Sequence, residues 1–431
     1  MGRPENLNDE ESHVAPVSRC RPWVPLLIWC GVSYCFMALV FVVACYANPS
    51  LLQLGLLPVF VQTGIPAPVY AFSKGSGQFA KPTNTKTVAL VPFRNYKRTE
   101  ILDCYLQVGS SPTRIAALLL TCSKRNLVKN HGFLDEVAFI PLTNDTTSLE
   151  WLTSTVENTP HYSLASSAEA TSKASLYIWI DGDTVFFEDH TIPTIVKTKL
   201  DHPDSLVVSA NVVNQAALKT LHSHAGVALS YLPELPLTSQ SIPVKTQIGQ
   251  EWRASQLPQW EGPNDFKVHK GFVAPFQNHR WLRSGDYEGD RTPIGTSMYT
   301  DEGPGLDHWT VSAQQHYSFL HHLELGGLHH YKFPVWNKPK GAVSRNFLCF
   351  EGGDASVVRS LIDHGESDEL SSETREDPIH SRVVIDGKGL AAHYSAGNLK
   401  GLDSTDVLER YRAYAQEMVC PGLLGPEIIV D

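Results

Sequence analysis

Two carboxylates one residue apart, Asp181 and Asp183, interrupt a stretch that is otherwise apolar. Tyr177-Ile178-Trp179-Ile180 leads into them and Val185-Phe186-Phe187 leads away. Like charges this close favour a proton or a cation between them. A hard divalent ion is the natural occupant, because it takes carboxylate oxygens and ligand phosphates together. An Asp pair that only caps or turns the chain is the competing reading.

Other elements must position such a pair. Thr87–Phe93 reads as a strand that ends at Arg94-Asn95, and Thr99 can cap a helix with Ile101, Leu102, Tyr105 and Leu106 on one face. Ile115–Ser123 and Glu136–Leu142 read as two more buried strands, the former with a helical alternative. Strands alternating with helical segments predict an α/β fold with a mainly parallel sheet. Ligands of such sheets bind beyond the carboxyl ends of the strands. Arg94, Asn95, Asp181 and Asp183 all fall at such ends, so a nucleotide or phosphate ligand bridged by a metal is expected there.

The 431 residues allow one large domain or two ordinary ones, and 42% hydrophobic against 19% charged residues allows a substantial core. A formal net charge of −10 argues against a nucleic-acid partner. Trp23–Tyr46 carries no charge, and a bilayer-spanning helix needs about 20 apolar residues. Arg19 and Arg21 precede it, and no Lys or Arg follows until Lys74. The positive-inside rule then predicts a single-pass type II membrane protein of the Golgi or ER. The expected organisation is a cytoplasmic tail over 1–22, an anchor over 23–46, a stem over 47–86 and a lumenal catalytic domain over 87–425. The uncharged stretch 47–73 is a second-span alternative, against which Pro58, Pro66 and Pro68 count. Outside the span, Cys104, Cys122, Cys349 and Cys420 allow three pairings. Asn144-Asp145-Thr146 is a glycosylation acceptor sequence at Asn144.

Two chemistries use a D-x-D at a strand end. Nucleotide-sugar glycosyltransferases of the GT-A fold hold Mn²⁺ or Mg²⁺ with it, and the ion assists departure of the diphosphate. Haloacid-dehalogenase-like phosphohydrolases use D-x-D-x-[TV], matched here by Asp181, Asp183 and Val185, with Asp181 as nucleophile. That motif normally opens its domain, whereas here a long α/β pattern precedes it. The later Gly353-Asp354 also lacks a second acid three to five residues on.

The chain resembles fungal type II membrane glycosyltransferase-like proteins. The likeness is carried by Val91–Asn95 (VPFRN), Ile180–Phe187 (IDGDTVFF), Ser209–Asn214 (SANVVN), Ala313–Leu320 (AQQHYSFL) and Ala391–Ser395 (AAHYS). It extends over roughly Thr87 to Cys420, and is similar more loosely to fungal capsule-related alpha-1,3-mannosyltransferases. The resemblance implies a GT-A fold, a nucleotide-sugar donor, a divalent metal, and a glycan or small-molecule acceptor. Family members place Asp in the middle of the acidic triplet, where this chain has Gly182.

In that picture Asn211 and Asn214 face the donor sugar, with turn-forming Asn as the alternative. Asp301, Glu302 and Asp307 compete to be the catalytic base, and Asp307 is preferred. Asp307 is also placed to cap a helix that ends at Gly326-Gly327. The late His393 supplies a third metal ligand beside Asp181 and Asp183, with a core histidine as the competing reading. Lys400 then reaches a donor phosphate. Six of the 18 histidines lie between His308 and His330 without an H-E-x-x-H pattern, which argues against a zinc helix. A sugar-binding protein without turnover is a further class, motivated by Gly182.

Overall fold

The computed structural model describes residues 81–82, 85–106, 133–165, 175–236, 251–338, 345–358, 383–394 and 399–420. The chain divides into two compact units, Met1–Pro66 and Ala67–Asp431, and every described residue lies in the second. The expected strand over Ile115–Ser123 lies outside the described residues.

The expected α/β architecture with a mostly parallel central sheet is observed. Its strands are β1 (Lys86–Phe93), β2 (Glu136–Pro141), β3 (Tyr162–Leu164), β4 (Ser175–Ile180), β5 (Thr184–Phe187) and β6 (Val207–Val213), continuing, after a separate two-stranded hairpin of β7 (Tyr231–Pro233) and β8 (Trp281–Arg283), with β9 (Trp336–Lys338), β10 (Phe347–Glu351) and β11 (Val383–His393). The nine-stranded sheet runs β3-β2-β1-β4-β10-β6-β11-β5, with β9 also on β11. β1 is parallel to β2 and β4, and β6 is parallel to β11, while β10 lies antiparallel between β4 and β6. The carboxyl ends of β1, β4, β6 and β11 therefore share one edge of the sheet.

Alternate residues of these strands enter different cores, as the two-residue period of a strand requires. Ala89, Ile178, Val208, Cys349 and Val384 face one core; Val88, Tyr177, Val207, Leu348 and Val383 face the other. Burial on both faces explains why the strands read as continuous apolar runs. The first core is closed by helices α1 (Tyr96–Leu106), α3 (Thr191–Asp201), α6 (Trp309–Leu325) and α8 (Val407–Tyr414), through Ile101, Leu102, Ile195, Tyr317, Leu320 and Tyr411 among others. Between these come α2 (Thr146–Asn158), the one-turn α4 (Ala216–Lys219), α5 (Pro293–Tyr299) and the one-turn α7 (Leu399–Leu402).

Three local expectations change. α1 begins at Tyr96 rather than after Thr99, because Asn95 starts it: the Asn95 carbonyl accepts from Thr99 N at 3.1 Å and its Oδ1 from Lys97 N at 3.0 Å. α6 is capped by His308, not Asp307, while its end at Gly326 in the left-handed conformation (φ 72°) is as expected. Among the described residues no helix is long and apolar enough to cross a membrane. The 17-residue α6 comes short of a span and carries Gln314, Gln315 and His316 in its middle. The expectation of a single-pass type II membrane protein with a lumenal domain is thereby overturned; segment 23–46, on which it rested, lies outside the described residues.

Of the cysteine pairings left open, Cys104–Cys420 is formed, joining α1 to the residue that ends the π-helical turn (Ala415–Val419) following α8, across 316 positions, and Cys349 is a buried free thiol. The same two helices are tied by Arg412, which bonds Glu100 at 2.5 Å and the Lys97 carbonyl at 3.1 Å. A cross-link over so long a loop restricts the unfolded chain strongly. Cys420→Ser should therefore lower unfolding free energy by about 2–5 kcal/mol, read by urea denaturation. An unchanged midpoint would refute the bond.

Candidate metal centre

The site is assembled by one turn and two strand pairings. β4 ends at Ile180. Asp181-Gly182-Asp183 then form a tight turn, closed by Thr184 N donating to the Asp181 carbonyl at 2.9 Å and Asp183 N to Asp181 Oδ1 at 3.0 Å. The chain continues as β5, which runs antiparallel to the end of β11 with Thr184 opposite His393. Tyr394 N donates to the Asp183 carbonyl at 2.9 Å. A register shift between Ala392 and His393 interrupts this pairing, and such shifts re-aim side chains. His393 Nε2 comes to 3.5 Å from Asp181 Oδ1. One ligand atom from each of Asp181, Asp183 and His393 lies within 4.8 Å of the others, the one such group among the described residues. Two carboxylate oxygens and an imidazole nitrogen at this spacing could hold a metal ion, with positions left over for a ligand.

Gly182 has a steric reason. A Cβ here would lie 2.6 Å from the Pro92 carbonyl oxygen and 3.0 Å from Thr99 Oγ1. The turn docks against the end of β1 and the first turn of α1, where Thr99 Oγ1 donates to the Gly182 carbonyl at 3.2 Å. A side chain in the middle of the turn has no room in this backbone arrangement, and the two outer carboxylates are presented without one.

Two arginines four residues apart, Arg94 just past β1 and Arg98 in the first turn of α1, face the pair. Arg94 Nη1 is 3.2 Å from Asp181 Oδ2, and Arg98 is ion-paired with Asp183 Oδ2. The pairs differ in setting: the Arg94 side chain is 51% exposed, the Arg98 side chain 12%. Arg98 also stands over the Tyr394 ring, 5.5 Å from its centroid, and Tyr394 Oη donates to Asp403 at 3.0 Å. Burial raises the Asp181 pKa, but the hydrogen bond and charge of His393, the Arg94 charge and the Asp183 N–H outweigh it and bring the carboxyl down to about 2. Asp183 moves up, through burial and then the negative charge of Asp181, opposed by Arg98, His393 and Arg94.

Buried polar side chains behind the site fix the β11 end. Asn214, at φ 57° just past β6, donates from Nδ2 to the carbonyls of His393 at 3.1 Å and Tyr394 at 2.7 Å. His316 on α6 places Nε2 at 3.0 Å from the Tyr394 carbonyl and Nδ1 at 2.9 Å from Tyr411 Oη. The neutral tautomer that donates from Nε2 to the Tyr394 carbonyl and accepts at Nδ1 from Tyr411 Oη serves these two contacts, with Asn214 Nδ2 also 3.0 Å from Nε2.

Of the residues expected at the site, Arg94, Asp181, Asp183 and His393 meet. Asn95 turns its side chain into the start of α1. Asn211 is fully buried, with Nδ2 on the carbonyls of Tyr331 (2.8 Å) and Gly387 (3.0 Å) and Oδ1 at 2.9 Å from His222; its amide joins strand to loop rather than facing solvent. Asp307 is 92% exposed beside the opening of α6, its Oδ1 at 3.2 Å from Lys219 Nζ, and it does not belong to the gathered group. The rival Glu302 pairs with Lys267 at 2.7 Å. Lys400 falls on α7, its side chain outside the described residues. Asn144 is exposed just before Asp145, which caps α2 by accepting from Ser148 N. Sequence reasoning missed Arg98, Tyr394 and His316. The one available signal was the i, i+4 spacing of Arg94 and Arg98 across a strand-to-helix junction.

No family model and no curated protein matches the chain. Among solved structures it is similar to S. aureus TarS residues 1-349, at 15% identity and a TM-score of 0.20, over 36% of this chain and 42% of that one. It is also similar to CMP:2-keto-3-deoxy-manno-octonic acid synthetase complexed with CTP, at 15% identity and a TM-score of 0.17, over 29% of this chain and 52% of that one. The chain thus spans about half or less of each of these structures, and at such TM-scores nothing is built on either likeness.

Two outcomes test this geometry. Gly182→Ala should cost about 1–3 kcal/mol of stability, because the Pro92 carbonyl must shift; urea melting of the variant at the wild-type midpoint would contradict the close approach. Burial, chiefly, brings His316 down to about 4, against a backbone bond to Tyr394 that raises it and the nearby His393 that lowers it. An unfolded histidine titrates near 6.5. As pH falls from about 6.5 to about 4 the unfolded chain gains a proton that folded His316 refuses, so stability declines over that window and is flat for this group above it. His222, lowered to about 3, and His322, lowered to about 4, act in the same direction. Melting temperatures across this range should fall, and His316→Gln should make the fall shallower.

Proposed function

We propose that residues 87–425 form a GT-A-like glycosyltransferase that uses Mn²⁺ or Mg²⁺ and a nucleotide-sugar donor, with a glycan or small molecule as acceptor. The observation that carries this reading is the convergence of Asp181, Asp183 and His393 at the carboxyl edge of a mostly parallel sheet. That edge is where such folds bind nucleotides. The motif resemblance over Val91–Asn95, Ile180–Phe187 and Ala391–Ser395 supports the same chemistry.

Asp181, Asp183 and His393 would hold the ion, which when bound supplies charge to the departing diphosphate. Arg98 holds the Asp183 carboxylate in place, and the Asp183 N–H holds that of Asp181. Asn214 and His316 hold the two carbonyls that orient His393. Arg94, exposed and on one oxygen of Asp181, is free to exchange that contact for a phosphate oxygen. Asp307 is the candidate acceptor-side base, its exposed carboxylate paired with Lys219. An Asp181 nucleophile, as in a phosphohydrolase, is disfavoured by the engagement of both its oxygens: Oδ1 by Asp183 N and His393, Oδ2 by Arg94.

Donor hydrolysis over a panel of nucleotide sugars tests the reading. Activity should vanish in EDTA and return with Mn²⁺, and Asp183→Ala should abolish it in a folded protein. His393→Ala should raise the Mn²⁺ midpoint by about tenfold or more, as loss of a ligand does, and His393→Asn should recover part of it through its amide oxygen. Full activity in EDTA, or a trapped phospho-aspartate at Asp181, would overturn the proposal.

A further inference from the structure

The ion-pair arrangement around the acidic pair bears on how a metal can enter. Asp181 and Asp183 face Arg94 and Arg98 in two direct pairs. The formal charges of these four groups cancel, so the pocket that a divalent cation meets is not doubly negative. The two arginines are also unequal. Arg94 is half in water, where an ion pair is screened and weak. Arg98 has a nearly buried guanidinium on a nearly buried carboxylate, with the Tyr394 ring on another side. It sits on α1 immediately before Thr99, whose hydroxyl is bonded to the Gly182 carbonyl. Breaking such a pair leaves a buried charge uncompensated, which is costly.

We infer that Arg98 is a fixed internal counter-charge that makes metal binding conditional on the diphosphate of the ligand; this rests on the metal reading of Asp181, Asp183 and His393. A divalent cation entering alone raises the charge of the cluster by two in a poorly hydrated site. A diphosphate diester entering alone lowers it by two. Together they add no net charge, and Coulomb energies at short range and low dielectric favour the joint state over either single one. The two ligands therefore bind as a coupled pair, and the coupling is reciprocal: the factor by which diphosphate tightens the metal equals the factor by which the metal tightens diphosphate. In a D-x-D site without such an arginine the bare carboxylates would bind the ion by themselves. The same guanidinium positions Asp183, so its role is read from metal binding rather than from turnover.

The experiment measures free Mn²⁺ by electron paramagnetic resonance during titration of the full chain, alone and with saturating uridine or guanosine diphosphate. Wild type, Arg98→Gln and the charge-retaining Arg98→Lys are compared, with thermal melts to verify folding. Wild type should bind Mn²⁺ at least tenfold more tightly with one of the diphosphates than without. Arg98→Gln should bind Mn²⁺ alone at least tenfold more tightly than wild type and show a smaller gain from diphosphate, whereas Arg98→Lys should keep the wild-type pattern. If Arg98→Gln does not fold, Arg98→Met takes its place, and the inference then requires the same tenfold or greater tightening of Mn²⁺ bound alone. Tight Mn²⁺ binding to wild type alone, unchanged by either diphosphate, would overturn the inference and leave the metal centre standing. No Mn²⁺ binding by any form under any condition would overturn both.

Discussion

The site depends on one strand pairing. β5 leaves the Asp181-Gly182-Asp183 turn and lies antiparallel on the last residues of β11, with Tyr394 N–H on the Asp183 carbonyl. That contact joins positions more than two hundred residues apart in the chain. Without it the acidic pair would be a turn at the end of β4, and His393 an ordinary residue at the end of a long strand. Backbone hydrogen bonds at a strand end fix direction as well as distance, so the imidazole can come within 3.5 Å of Asp181.

The rest of the local structure serves to keep that pairing in place and the charges balanced. Gly182 lets the turn press against the end of β1. Thr99 bonds the turn from α1, and Asn214 and His316 hold the β11 end from β6 and α6. Arg94 and Arg98 offset two carboxylates that burial alone would drive toward protonation. The Cys104–Cys420 bond and the Arg412 contacts secure α1, the helix that carries Arg98, to the C-terminal helix. Buried polar groups of this kind are tolerated only when nearly every donor and acceptor is matched. The neutral His316 tautomer shows how that matching is achieved here, whereas Asn214 Oδ1 is buried without a partner among the described residues.

The charge pattern separates this centre from a bare acidic pair. A site whose negative charge is already answered by guanidinium groups gains specificity from what must arrive together. In such a site the number of carboxylates is a poor guide to affinity for a cation; the counter-charges around them decide it.

The sequence by itself determined the α/β class, the strand ending at Arg94, the acidic turn, and the helix ending at Gly326. These are local properties: apolar runs, turn residues and a left-handed glycine act within a few positions. It also singled out His393, through an apolar approach and a motif, without a means to join it to Asp181. Tertiary structure alone decided that junction, because strand order and register between distant segments leave no local trace. The same holds for Arg98, which reads in sequence as one more helical cation, and for Asn211, which read as a ligand-facing residue and is buried between the carbonyls of Tyr331 and Gly387. Which face an asparagine or arginine turns inward is set by what packs on it, and that partner comes from elsewhere in the chain.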